Sequence, residues 1–271
     1  MKIILSRKGF DAANGGAASP VMPDGTMLSL PIPGGRHCEK YNELFYKGQS
    51  YSEIWSSLKP SVNSRKRNCH LDPDLRPAVR RILPKGWVPA FGQCEAAETH
   101  LNNQNVTTGD LFMFFGWFRE TEYRNGQLKY KRGSNDAHML FGYLQIGKIA
   151  RGNQLKKYYW HPHSEYGEGN NTIYVATRHL VIDGEDTGLP GAGTFKYSKD
   201  IVLTMPGQSR SRWSLPDFFK DVDISCHTED CFKPEGYFQS VPIGQEFVVS
   251  DDKRVTRWAK NIIINNFDYS N

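Results

Sequence analysis

The fold is decided by five consecutive apolar residues, LFMFF at positions 111–115, which follow a glycine–aspartate turn. An apolar, aromatic run of this length between turn signals is typical of a strand buried on both faces. A second apolar strand is expected at 140–149, where Gly142 and Gly147 mark bulges or corners of a barrel. Asn125-Gly126 lies between the two runs and predicts a tight hairpin turn. The centre of the chain is therefore predicted to be β-rich.

Helical signals lie on both sides of this centre. Ser50 and Glu53 have the form of a capping box, and the apolar residues that follow share one face, which predicts a helix over 50–58. Helices are also expected at about 93–103 and about 251–261. Further strands are expected at 2–5, 173–175, 177–182 and 247–249. The prediction is one α+β domain, residues 1–271, with a central mixed or antiparallel sheet, or a barrel, flanked by short helices.

The composition excludes several classes of protein. The chain has 271 residues, of which 38% are hydrophobic, so it can bury a core. Its apolar runs fall short of the ~18 residues of a membrane span, and its N-terminal apolar stretch is too short for a signal peptide. The five cysteines show no paired spacing. We therefore expect a cytoplasmic protein without a membrane partner.

The charge is distributed unevenly along the chain. The net charge is +5, yet residues 59–85 alone carry eight Lys and Arg against two Asp, a net charge of +6. Residues 146–160 add four cations and no acid, next to the aromatic residues Tyr158, Tyr159 and Trp160. Basic residues interleaved with aromatic ones suit a polyanion whose bases can stack. The alternative is an ordinary solvated surface.

The strongest candidate site is HLDPD at positions 70–74. Pro73 favours extended backbone, in which His70, Asp72 and Asp74 would alternate onto one face. An imidazole with two carboxylates can act as acid and base or bind a hard divalent cation. The structural alternative is that both aspartates cap turns.

A second histidine motif is His161-Pro162-His163. The proline turns both imidazoles to the same side of an extended strand, where they could share a metal if His138 or Glu165 supplied a third ligand. A surface pair on a polar loop is the favoured interpretation. No metal ligand is therefore assigned, and His161 and His163 are weak candidates beside the HLDPD residues. The cofactor stays undetermined, with a divalent metal as one option.

Two polar loops with glycine are candidate phosphate sites. Arg7 and Lys8 directly follow the first predicted strand, and the loop at 207–213 contains Ser209 and Arg210. Guanidinium and ammonium groups next to flexible backbone can hold a phosphate. The spacing of a nucleotide-binding glycine loop is absent, so the pattern does not favour an ATPase.

Gln93 and His100 lie seven residues apart in a predicted helix and therefore share a face. There Gln93 could read a base edge and His100 could relay a proton, although a buried structural histidine is the alternative. The predicted catalytic residues are His70, Asp72, Asp74 and His100. The predicted substrate- or phosphate-binding residues are Arg7, Lys8, Asp11, Gln93, Arg119, Lys196, Ser209 and Arg210.

The chain resembles the third family of nucleotide-modification-associated domains over nearly its full length. The resemblance rests on SRKGFD at 6–11, SLPIP at 29–33, HLDPD at 70–74 and GDLFMFFGWFR at 109–119, and continues through 138–147 and 161–163. It implies a role in base modification in phages and bacteria, with nucleic acid or a nucleotide as the partner. It implies no reaction and no catalytic residue.

A local resemblance covers about forty residues. GDLFMFF at 109–115 and GYLQIGKI at 142–149 are similar in pattern to the PUA-like barrels, which include the EVE and ASCH domains. The resemblance implies a barrel core at about 86–182 that holds a modified base or an RNA end.

Three functions remain open. The favoured one is an enzyme that modifies or processes a base or nucleotide with the His/Asp residues, while Arg7, Lys8 and Arg119 hold phosphate. The second is a reader that binds a modified base without catalysis, in a pocket formed by Trp117, Phe118, Tyr143 and Trp160. The third is a metal-dependent nuclease that uses the two aspartates of the HLDPD stretch. The base, the choice of DNA, RNA or free nucleotide, and the oligomeric state stay undetermined.

Overall fold

The computed structural model describes residues 1–35, 38–62, 67–165, 169–242 and 244–270. The strands, in chain order, are β1 (Ile3–Arg7), β2 (Ser19–Val21), β3 (Ile32–Pro33), β4 (Phe45–Tyr46), β5 (Gln49–Ser50), β6 (Cys69–His70), β7 (Ala90–Cys94), β8 (Leu111–Arg124), β9 (Gln127–Tyr130), β10 (Ala137–Arg151), β11 (Asn171–Ala176), β12 (His179–Ile182), β13 (Glu185–Pro190), β14 (Ala192–Thr194), β15 (Arg212–Trp213), β16 (Phe238–Gln239) and β17 (Glu246–Val249). The α-helices are α1 (Tyr51–Leu58), α2 (Glu95–Asn103) and α3 (Lys253–Asn266).

One large mixed sheet organises the domain. Its strands follow the order β17-β1-β8-β10-β11-β7, while β2 and β9 pair with other parts of β8 and β14 pairs with β10. β1 and β2 run parallel to β8, and the other pairs are antiparallel. The predicted mixed sheet flanked by short helices is confirmed. In the described residues this path ends at β17 and β7, so the sheet does not close into a barrel there.

The two long strands β8 and β10 form the centre of the core. All five residues of the LFMFF stretch are fully buried, as predicted. The pairing of β10 with β8 shifts between Leu140 and Gly142, and its pairing with β11 shifts between Ile146 and Lys148. These irregularities confirm the predicted bulges. At Gly142 a Cβ atom would lie 2.7 Å from a backbone oxygen of β14, which explains the glycine.

Local turn and cap signals also match the structure. Asn125 and Gly126 join β8 to β9 with φ angles of 53° and 73°, the left-handed conformation that such hairpin turns require. The capping box of α1 is present, because the Ser50 hydroxyl accepts the Glu53 N–H and the Glu53 carboxylate accepts the Ser50 N–H. α3 continues to Asn266, beyond its predicted end, because Ile262 and Ile263 extend its buried face.

The helix predicted at 93–103 begins two residues later than expected. Gln93 belongs to β7, where it pairs with Thr172 of β11, and α2 starts at Glu95. Gln93 and His100 therefore do not share a helix face. The difference arises because ladder pairing with β11 outweighs the helical spacing of the side chains.

The parallel pairing of β1 with β8 positions the candidate site. Arg7 at the end of β1 lies beside Phe115, and β8 continues to Arg124, so the residues that follow β1 run alongside the remainder of β8. A Cβ atom at Gly116 would lie 2.5 Å from the carbonyl oxygen of Lys8. A glycine at this position therefore lets the backbone after β1 approach β8 closely. No helix in the described ranges is long and apolar enough to span a membrane.

Candidate functional site

A cleft of about 950 Å³ lies where the chain leaves β1. Segments that are far apart in the sequence line it, from the residues after β1 to the turn before β17. Its volume lies within the range of small-molecule sites. The predicted site residues that line the cleft are Arg7, Lys8, Asp11, His70, Asp72, Gln93, Trp117, His163, Ser209 and Arg210.

Asp72 is the centre of a buried cluster at one end of the cleft. Its Oδ1 atom lies 3.3 Å from Nε2 of His161, and its Oδ2 atom lies 3.6 Å from Nε2 of His163 and 3.7 Å from Nε2 of His70. The Asp72 side chain is 5% exposed, and those of His161 and His163 are 0% and 4% exposed. The interpretation of these two histidines as a surface pair is therefore wrong. They face the Asp72 carboxylate in the interior. Asp72 and His70, rather than His138 or Glu165, lie beside them where a third ligand was expected.

Strand β7 holds this cluster in position. The backbone N–H of Gly92 donates to Oδ1 of Asp72 at 2.9 Å. A Cβ atom at Gly92 would lie 2.3 Å from two ring carbons of His163 and 2.9 Å from the His161 ring. Only a residue without a side chain allows the imidazoles to pack against this strand.

Hydrogen bonds define the protonated nitrogen of each buried histidine. Nδ2 of Asn171 donates to the His163 carbonyl oxygen at 2.8 Å, and Oδ1 of Asn171 lies 2.7 Å from Nδ1 of His163. Oδ1 is an acceptor, so this assignment places the proton of His163 on Nδ1. The Nε2 lone pair then faces Asp72. His161 Nδ1 accepts the backbone N–H of His163 at 3.2 Å, which leaves the hydrogen on Nε2 of His161.

The surroundings separate the pKa values of the cluster. Burial opposes the charge of Asp72, but its interactions with His161 and His70 outweigh burial and hold its pKa well below the usual range. Burial also opposes the charge of His70, yet Asp72 and Cys38 raise its pKa to about 9. For His163 burial dominates and lowers the pKa to about 4. At neutral pH a charged and a neutral imidazole therefore flank one carboxylate.

Cationic side chains line another part of the cleft. The guanidinium carbon of Arg210 lies 4.0 Å from the centroid of the Trp117 ring. Nη2 of Arg7 donates to the carbonyl oxygens of Pro242, at 2.7 Å, and Gly244. Burial lowers the pKa of both arginines. Two partly desolvated guanidinium groups thus face the same cavity as the Asp72 cluster.

Lys8 and Gln93 are already engaged by one buried acid. Nζ of Lys8 lies 2.7 Å from Oε1 of Glu246, and Nε2 of Gln93 donates to the same oxygen at 2.7 Å. Lys8 also lies 4.6 Å from the centroid of the Phe91 ring. This network joins β1, β7 and β17, so these two residues support the wall of the cleft.

Asp74 does not join the cluster, although sequence alternation placed it with Asp72. Its carboxylate lies 2.8 Å from Nη2 of Arg80 and accepts Nε1–H of Trp87 at 2.9 Å. The residue is 1% exposed and its backbone pairs with Ala90. Pairing with buried Arg80 turns the Asp74 side chain away from the cleft.

Other predicted catalytic and phosphate-binding residues lie outside the cleft. His100 has Nε2 2.9 Å from Oγ of Ser225. Arg119 lies over the Tyr130 ring and donates to Ser134. Lys196 donates to Thr26, with Asp24 and Asp268 within 4.0 Å. Each polar group is engaged by local neighbours, so none is positioned at the Asp72 cluster.

The predicted stacking residues separate in the same way. Trp117 lines the cleft, whereas Tyr143 is fully buried, stacks on Phe195 and donates its hydroxyl to the Pro190 carbonyl. Trp160 packs edge-on against Tyr158 and Tyr159. Only Trp117 of these three presents a ring to the cleft.

Much of the basic segment 59–85 is used inside the domain. Arg80 pairs with Asp74 and Glu39, and Arg67, Arg76 and Arg81 lie over aromatic rings. Positions 65 and 66 lie outside the described residues. Part of the positive charge of this segment therefore stabilises packing within the domain, and only the remainder can contact a partner at the surface.

Sequence reasoning did not single out Gly92 or Asn171. A glycine inside a strand marks a close approach of other groups, so Gly92 carried a usable signal. Asn171 carried none, because an asparagine that orients a histidine has no distinctive spacing.

Comparison with known proteins identifies the family of the chain. The profile of the family described as nucleotide modification associated domain 3 matches residues 2–250. The chain belongs to this family. No curated protein and no solved structure matches the chain. The nucleotide modification associated domain therefore includes every segment that lines the cleft, from Arg7 to Gln245.

Proposed function

We propose that this nucleotide modification associated domain binds a nucleotide, free or within a nucleic acid, and acts on its base with the Asp72 cluster. One observation carries the proposal. His70, Asp72 and His163 of the cluster line one cavity of about 950 Å³ together with Arg7 and Arg210. A nucleotide has both an anionic phosphate and a base with exchangeable protons, and such a cavity offers a partner to each.

The arginines support the phosphate end of the proposal. A guanidinium is planar and carries several donors that match phosphate oxygens. The guanidinium carbon of Arg210 lies 4.0 Å from the centroid of the Trp117 ring, and the carbonyl oxygens of Pro242 and Gly244 orient Arg7. Neither residue forms an ion pair with a carboxylate among the described residues. Their charge is thus available to a ligand.

The cluster supports the catalytic end. A charged His70 can donate a proton and a neutral His163 can accept one at the same pH. The Asp72 carboxylate lies 3.6–3.7 Å from Nε2 of both rings and stabilises positive charge on them. Groups whose pKa values are pushed apart in one cavity are typical of acid–base sites.

A non-catalytic reader is the second candidate, and Trp117 in the cleft favours it. The other proposed members of an aromatic pocket do not support it, because Tyr143 is buried in the core and Trp160 lies outside the cleft. The nuclease interpretation required Asp72 and Asp74 to act as a pair. It is not favoured, because Asp74 is engaged by Arg80.

Nucleoside mass spectrometry tests the proposal. DNA, RNA and nucleotide pools are compared from cells that produce the wild-type chain, Asp72→Asn or a control, His179→Gln, whose imidazole is exposed. We expect the wild type and the control to change one nucleoside and Asp72→Asn to change none. No difference between the wild type and cells without the protein would overturn the enzymatic function. Retention of nucleotide binding in that case would indicate a reader.

A further inference from the structure

We propose that His70, Asp72 and His163 bind one divalent first-row transition-metal ion at the end of the cleft. The inference deepens the proposed function and rests on it only for the substrate. An ion bound to Nε2 of both histidines would displace the proton of His70 and occupy the lone pair of His163, so in the metal-bound protein the ion, and not the two imidazoles, would act on the base. Metal binding itself can be measured without any nucleotide.

The spacing of the three side chains supports a shared ion. One ligand atom from each residue lies within 4.8 Å of the other two. Oδ2 of Asp72 lies 3.6 Å from Nε2 of His163 and 3.7 Å from Nε2 of His70. These distances are too long for direct hydrogen bonds. Two ligands with metal bonds of about 2.1 Å lie about 3.0–3.6 Å apart, so small rotations would complete the site.

The donor atoms point in the required direction. The hydrogen bond to Asn171 leaves the proton of His163 on Nδ1 and turns its Nε2 lone pair towards Oδ2 of Asp72. Gly92 binds the other carboxylate oxygen, Oδ1. Two acceptors that face each other are stabilised by a cation between them. A histidine ligand whose second nitrogen donates to an amide or carboxylate oxygen is the usual arrangement in metal sites.

The ligand set indicates the class of ion. Mg²⁺ and Ca²⁺ prefer oxygen ligands, whereas imidazole suits Zn²⁺, Fe²⁺ and Co²⁺. Two imidazoles and one carboxylate therefore favour a transition metal over the hard cation that HLDPD alone suggested. All three side chains line the cleft, so the coordination positions that they leave would open to a substrate.

Titration with Co²⁺ tests the site, because Co²⁺ bound by nitrogen and oxygen ligands absorbs visible light. The chain is first stripped with a chelator, and Co²⁺ binding is followed by absorption and calorimetry, with Mg²⁺ as the comparison. We expect one Co²⁺ per chain and much weaker binding of Mg²⁺. Asp72→Asn and His163→Gln should each weaken Co²⁺ binding at least about 100-fold, and Asn171→Ala about 10- to 100-fold. His179→Gln should bind as the wild type does.

Folding of each variant is checked by circular dichroism, and His70→Gln provides a second test because its side chain, 14% exposed, is the most accessible of the three. Absence of Co²⁺ binding in the wild type would overturn the inference, as would unchanged affinity in folded Asp72→Asn and His70→Gln. Co²⁺ binding without any nucleoside change would leave the metal site standing and contradict the enzymatic function. A nucleoside change produced by a wild-type chain that binds no Co²⁺ would overturn the metal site and leave the enzymatic function standing.

Discussion

The backbone N–H of Gly92 donates to Oδ1 of Asp72 at 2.9 Å, and the same glycine gives room to the ring of His163. One residue of β7 thus fixes the carboxylate and admits the imidazole. The position has no side chain of its own, yet it sets the distance between the two groups.

Gly92→Ala is expected to disrupt the site by displacing His163. The added Cβ atom would lie 2.3 Å from ring carbons of His163, so the imidazole must move or the strand must shift. Overpacking of this kind costs about 1–3 kcal/mol of stability. We expect Co²⁺ affinity to fall at least tenfold, measured by calorimetry. Gly169→Ala is the control, because no atom of the described residues lies within 4 Å of its Cβ position. Equal affinities in the two variants would contradict this role of Gly92.

Arg210→Ala is expected to weaken binding of a nucleoside monophosphate about tenfold, because the cleft loses a guanidinium that donates hydrogen bonds to the phosphate. The dependence of affinity on salt should also become shallower. Arg210→Lys should recover only part of the affinity, since an ammonium keeps the charge but loses the planar contact with Trp117. Calorimetry at two salt concentrations measures both effects. Full activity of Arg210→Ala would remove Arg210 from the phosphate site.

Asp74→Ala is expected to destabilise the fold far more than Asp72→Asn. Removal of the Asp74 carboxylate leaves Arg80, whose side chain is 5% exposed, with Glu39 as its remaining acid. Breaking a buried pair in this way costs about 3 kcal/mol. Asp72→Asn keeps an oxygen for the Gly92 N–H, so its cost should be smaller. Urea unfolding at pH 7 compares the two variants. The opposite order would show that Asp72 is the structural residue of the pair.

His138 is expected to make stability fall as the pH falls below its ordinary pKa of 6.5. Burial lowers the pKa of His138 in the fold to about 3, and its Nδ1 accepts Nε1–H of Trp213 at 3.1 Å. The unfolded chain therefore takes up a proton first, which favours unfolding between pH 6.5 and about 3. This single group should cost about 2 kcal/mol at pH 5 relative to neutral pH.

The matched variant for this test is His138→Asn, whose Oδ1 can still accept from Trp213. Urea unfolding at pH 7 and pH 5 should show a smaller loss of stability in the variant than in the wild type. An identical loss in both proteins would mean that His138 does not titrate as a buried neutral group.

Local signals predicted the elements well. The bulges at Gly142 and Gly147, the Asn125-Gly126 hairpin and the capping box of α1 depend on residues close in sequence. Each follows from backbone conformations or short hydrogen bonds that neighbouring residues determine.

The site depended on contacts that spacing does not encode. Both histidine motifs were singled out, but their meeting at Asp72 results from the pairing of β7 with β11. Trp117 and Tyr143 both follow apolar patterns, and only the sheet order decides which ring faces the cleft. Alternation along an extended strand predicted that Asp74 would join Asp72. In the fold Asp74 pairs instead with the buried Arg80.

The ion pair between Lys8 and Glu246 joins residues that are 238 positions apart. Pairing of β17 with β1 therefore completes this wall of the cleft. Contacts of such long range are slow to form because the entropy of closing a long loop must be lost first. During synthesis this part of the wall should therefore form late, and a chain released before residue 246 would lack the acid that holds Lys8 and Gln93 in place.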